Sequence, residues 1–114
     1  MNAAPNGCYG TFEFLFDVPR VDDFYGDVAS AVNPNHPLFA VHNAETVFYG
    51  SSSHHGNLNH DDSWEKLLIG ESGESILIAK QIGQGHVVLG TLTLQWEWYN
   101  GLHSSIISYL QALN

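Results

Sequence analysis

The stretch that most constrains this chain is Glu74 to Trp98, ESILIAKQIGQGHVVLGTLTLQWEW. Ile76, Leu77, Ile78 and Ala79 form a short apolar run, and Val87 to Leu94 forms a second, rich in β-branched and apolar residues. Between them lies Gly83-Gln84-Gly85. Glycine reaches positive φ without steric cost, which tight hairpin turns require. Two apolar runs joined through such a turn predict a β-hairpin. Both runs are apolar at nearly every position instead of alternating, so the sheet is expected to be covered on both faces.

The other elements are read around this hairpin. Thr11 to Val18 alternates, with Phe12, Phe14, Phe16 and Val18 on one face and Glu13 and Asp17 on the other, as a half-buried strand does. Val21 to Val32 reads as a short helix over Phe24, Val28 and Val32, with Asp22 as its cap, although Gly26 falls inside it. Asn33-Pro34-Asn35-His36-Pro37 is a loop by composition. Glu45 to Tyr49 reads as a strand, and the polar stretch GSSSHHGNLNHDDS that starts at Gly50 reads as an exposed loop. Trp64 to Ile69 resumes order as a strand or a single turn, and Glu71-Ser72-Gly73 is a turn. Leu102, Ile106, Tyr109, Leu110 and Leu113 recur at helical spacing after Asn100, a candidate N-cap, so the chain is expected to close with an amphipathic helix. Residues 1–114 are read as a single domain of the α/β or α+β class: a mixed sheet with a C-terminal β-hairpin, sealed by a terminal helix.

Charge narrows the partners. Twelve Asp and Glu face three Lys and Arg, a formal net charge of −9, and charged residues make up only 13% of the chain. Such a surface repels phosphate backbones, which excludes nucleic acid and anionic membranes as expected partners. Cys8 is the one cysteine, so neither an intrachain disulfide nor a cysteine-based zinc cluster can be built. The first ten residues, MNAAPNGCYG, carry no cationic region and no apolar stretch. They do not read as a signal peptide, and a soluble, cytoplasmic protein is expected.

The block ILIAKQIGQGHVVLGTLTLQWEW with a helix after it resembles the end of a class I glutamine amidotransferase-like domain. In that flavodoxin-like family a Gly-x-Gly hairpin leads into the last strand, and a terminal helix packs on the sheet. HPLF at His36 to Phe39 and the VFYGSSSHH segment also have counterparts there, so the resemblance covers residues 36–114. It implies a nucleophilic cysteine on a G-x-C-x-G elbow, where this chain has Asn6-Gly7-Cys8-Tyr9-Gly10, with Asn6 in the first glycine's place. It also implies a histidine base and its orienter as H-x-E, where this chain has Gln95-Trp96-Glu97. Glutamine cannot take a proton from a thiol at neutral pH, so the catalytic pair is broken. With Cys8 as the elbow, the half of the parallel sheet that precedes it in the family is missing. An exposed apolar edge must then be covered, and a homodimer completing half of a flavodoxin-like sheet is expected.

Three groups of residues carry candidate chemistry. Cys8 and Glu97 are the catalytic candidates of a cysteine-dependent hydrolase or amidotransferase, with a histidine from His54, His55 or His60 as base. His54, His55, His60 and Asp61, with Asp62 beside them, offer imidazole and carboxylate ligands for a divalent metal, although their spacing matches no established motif. Trp96, Trp98 and Tyr99, with Trp64 and Phe48, could line a pocket for a flat or sugar-like small molecule, or could pack in a core or an interface. No Gly-rich phosphate loop precedes a helix, so nucleotide binding has no support. The leading functional expectation is a small non-catalytic binding or oligomeric interaction module without a cofactor. The cysteine enzyme and the metal-binding protein stand as alternatives.

Overall fold

The computed structural model describes residues 20–26, 29–40, 54–92 and 100–113. The expected strands over 11–18 and 45–49 lie outside them, as do Cys8, Phe48, Gln95, Trp96, Glu97, Trp98 and Tyr99. Strand β1 is Arg20–Gly26, β2 Ala29–Ala31, β3 His54–Asn59, β4 Glu65–Gly70, β5 Ser75–Ile82 and β6 Gly85–Gly90, and helix α1 is Asn100–Ala112. A 3₁₀ turn, Pro37–Phe39, follows β2. Among the described residues a four-stranded sheet runs in the order β2-β4-β5-β6, and β1 and β3 form a two-stranded ribbon. Strands and a terminal helix give the expected α/β or α+β class.

The hairpin is where its sequence puts it. Ile82 pairs with Gly85, so the chain reverses through Gly83 and Gln84 alone. Gly83 takes a φ of +61°, which the two-residue turns that match strand twist demand of their first residue. Gly73 takes a φ of +84° in the β4–β5 turn, at the expected Glu71-Ser72-Gly73 reversal. Of the two readings open for Trp64 to Ile69, the strand is the one observed.

Burial follows from β5, buried from Ser75 to Ala79. Leu77 and Ala79 join a core with Leu68, Leu38, Leu102 and Ile106, which brings in the 3₁₀ turn and α1. Ile78, between them, joins Leu58, Trp64 and Leu89 instead, which brings in β3. Alternate residues of a strand face opposite sides, so helix and ribbon cover the two faces of the sheet. The apolar run at Leu77–Ala79 has this cause, and Ile76 joins the helix-side core as well. Tyr109 of α1 sets its ring edge-on to His36 at 5.2 Å. His36 accepts from the Leu38 N–H at Nδ1, 3.1 Å, and meets Glu65 Oε1 through Nε2, 3.1 Å, tying the 3₁₀ turn to the start of β4.

Four expectations are corrected. Val21 to Val32 is not a helix: β1 pairs antiparallel with β3, and β2 pairs antiparallel with β4. Cross-strand pairing has overridden a weak helical spacing already interrupted by Gly26. The loop expected from Gly50 includes a strand, because His54–Asn59 finds that partner in β1. Every ladder among the described residues is antiparallel, which is not the parallel order implied for half of a flavodoxin-like sheet. Leu113 lies past the end of α1 and is exposed, so the buried stripe of the helix runs through Leu102, Ile106, Tyr109 and Leu110.

Candidate functional site

Between the end of β3 and the β4–β5 turn the surface opens into a polar cleft of about 430 Å³. Asn57 and His60 line it from the end of β3, Ser72, Glu74 and Ser75 from the β4–β5 turn and the start of β5, together with Asp62 and Lys66. The end of β3 and the β4–β5 turn meet here because the ribbon packs against the sheet. The Ser75 N–H donates to Asn57 Oδ1 at 3.2 Å. At the adjacent residue of β3, the Thr91 hydroxyl donates to the Gly56 carbonyl at 2.9 Å. These two bonds fix the register of β3 across the sheet.

His60 is held at both ring nitrogens. Nδ1 lies 2.8 Å from the Asp61 carbonyl oxygen, which only accepts, so Nδ1 carries the ring proton. Nε2 lies 2.8 Å from Ser75 Oγ. In the tautomer set by the Asp61 carbonyl, the Ser75 hydroxyl donates and Nε2 accepts. Ser75 is only 4% exposed, and it lines the cleft.

Next to His60 the chain makes a tight turn. Asp61 Oδ1 accepts from the Ser63 N–H at 2.9 Å and from the Ser63 hydroxyl, a side-chain-closed turn that favours Asp at its first position. The Ser63 hydroxyl bond holds the Asp61 carboxyl below its ordinary range, the Ser63 backbone N–H adds to this, and Lys80 and His60 contribute attraction. Lys80 Nζ reaches Ser63 Oγ at 2.9 Å and lies 5.5 Å from the centre of the Trp64 ring. Across the cleft, Glu74 is 8% exposed, and its Oε2 accepts from the Ser72 N–H at 3.0 Å. Its carboxyl sits where a side chain at position 70 would be, so Gly70 is required for Glu74 to fold back.

The predicted site residues are only partly brought together. His60 enters the cleft, while the Asp61 carboxylate is turned into its own turn. His54 and His55 contribute their backbones to β3, and their side chains lie outside the described residues. Among the described residues no group of three or more His, Cys, Asp or Glu is placed to hold a metal ion. The Cys8–Glu97 pair and the Trp96, Trp98 and Tyr99 pocket lie outside the described residues. Trp64, the aromatic of that set that is described, packs in the core against Leu58, Ile78 and Leu89. Asn57, Ser72, Glu74 and Ser75 carried no signal as site residues in the sequence, where they read as loop, turn and hairpin positions.

No protein-family model matches the chain, and no curated protein matches it. Among solved structures it is similar in fold to the cytoplasmic protein STM3548 from Salmonella typhimurium, with a TM-score of 0.57 at 16% sequence identity. The match covers 78% of this chain and 39% of that one. Among the described residues no helix is long and apolar enough to cross a membrane.

Proposed function

We propose that this chain is a small binding or oligomeric interaction module of the cytoplasm that takes a small polar molecule into the cleft between β3 and the β4–β5 turn. The observation that carries the reading is the cleft wall. Its polar groups are fixed by hydrogen bonds, Ser75 N–H to Asn57, Ser75 O–H to His60, and Ser72 N–H to Glu74. Ligand sites place a few such groups on rigid elements to orient what they hold. Asp62 and Glu74 on the lining, with the net charge of −9, favour a neutral or cationic ligand over an anion. Gln95, where the amidotransferase-like enzymes carry histidine, supports a module without cysteine catalysis.

Amide chemical shifts measured while titrating a panel of polyols, alkylamines and short esters test this. Shifts that cluster at residues 57–60 and 72–75 are expected for at least one class. A panel that leaves both segments unmoved overturns the reading. Association into a homodimer belongs to the same proposal: β2 and β6 are the outer strands of the described sheet, and strand edges are templates for a second chain. Light scattering is expected to give twice the 12.6 kDa of one chain, and a monomer across the micromolar range would remove the dimer.

A further inference from the structure

We propose that Ser75 and His60 form a nucleophile–base pair for acyl transfer from small neutral or cationic esters, an activity that rests on the cleft being a ligand site. The Ser75 hydroxyl lies 2.8 Å from His60 Nε2, the reach a general base needs for the proton it takes. The tautomer is the required one, because the Asp61 carbonyl engages Nδ1 at 2.8 Å and leaves Nε2 as the acceptor. A nucleophile, a base and a third group that orients the base is the arrangement by which a weak hydroxyl is activated. Here the orienting group is a backbone carbonyl, held in a turn that the Trp64 N–H also closes onto Asp61 at 3.4 Å.

The cleft also supplies donors and charge. Asn57 accepts from the Ser75 N–H through Oδ1, which leaves Nδ2 as the donor end of an amide on a residue that lines the cleft. Lys66 lines the same cleft. A side-chain amide and an ammonium are donors suited to charge developing on a carbonyl oxygen. The carboxylates of Asp62 and Glu74 on the lining select against anionic substrates. The lining is mostly polar, so the acyl chain is short.

The bonds balance without an oxidant or a metal. Ser75 Oγ attacks the ester carbonyl carbon as its proton passes to His60 Nε2, forming a tetrahedral adduct. The ester C–O bond then breaks, and the departing alkoxide takes that proton. Water attacks the acyl-serine carbonyl, giving its proton to Nε2. The Ser75 Oγ–acyl bond breaks, and the proton returns to Ser75.

The test is labelling of the full chain with a fluorophosphonate, with the modified residue mapped by peptide mass, alongside p-nitrophenyl acetate turnover. Label on Ser75 is expected, together with measurable turnover. Ser75→Ala is expected to abolish both, and His60→Gln to lower turnover by about 100- to 10,000-fold, the span of a general base. Wild-type protein that carries no label on Ser75 overturns the inference without recourse to any variant. The outcomes separate from those of the parent reading: absent label with shifts still clustering at residues 57–60 and 72–75 leaves a binding cleft with no acyl chemistry. Absent label and absent shifts remove both.

Discussion

Gly70→Ala isolates how the β4–β5 turn is built. A Cβ at this position overlaps Glu74 Oε1 and Cδ and comes within 2.8 Å of Cγ, so the carboxyl must leave its seat. The backbone cannot yield easily, since the Gly70 N–H donates to the Glu74 carbonyl at 2.8 Å and the Gly73 N–H to the Gly70 carbonyl at 3.0 Å. Expelling the carboxyl breaks its bond from the Ser72 N–H, and a hydrogen bond to a charged group contributes about 1.5–3 kcal/mol. Replacing Gly by Ala restricts the unfolded chain and offsets about 0.4–1 kcal/mol of that. The net expectation is a loss of about 0.5–2.6 kcal/mol in urea denaturation. In a Glu74→Ala background the overlap disappears, and the same change is expected to be neutral or to stabilise by up to about 1 kcal/mol. Equal costs in the two backgrounds, within the roughly 0.5 kcal/mol expected of independent sites, would refute the account of Gly70 as the seat of Glu74.

Leu77→Ala removes a side chain buried between the sheet and α1 and is expected to cost about 2–5 kcal/mol in chemical denaturation. Thr91→Val keeps the shape but leaves the Gly56 carbonyl without its 2.9 Å donor; a loss of about 1–3 kcal/mol is expected, with faster amide exchange in β3. Gly83→Ala meets no neighbour within 4 Å, so its cost comes from the φ of +61° and is expected near 1 kcal/mol, the penalty of the left-handed region. The Asp61 carboxyl is held below its ordinary value of 3.8, chiefly by the Ser63 hydroxyl. A carboxyl depressed on folding contributes stability above its unfolded pKa, lost as pH falls through the folded one. Ser63→Ala is therefore expected to raise the Asp61 midpoint in an NMR titration and to weaken the acid dependence of stability below pH 3.8.

Local chemistry determined a good part of this molecule. The Gly83-Gln84 reversal, the β4–β5 turn at Gly73 and the closing helix each rest on information within a few residues: a backbone angle that glycine tolerates, or an apolar spacing of three and four. The two-sided burial of β5 was legible too, because Ile76–Ala79 offers no polar face for solvent. What only the tertiary structure decided is pairing across long stretches of chain. Residues 54–59 are polar and carry no strand signal of their own; they become a strand because β1 lies alongside, and the same pairing turned residues 20–26 away from a helix. The cleft has the same origin. Asn57, His60 and Ser75 meet only where ribbon and sheet stack, and no spacing rule connects a histidine to a serine fifteen positions away until both strands have been placed.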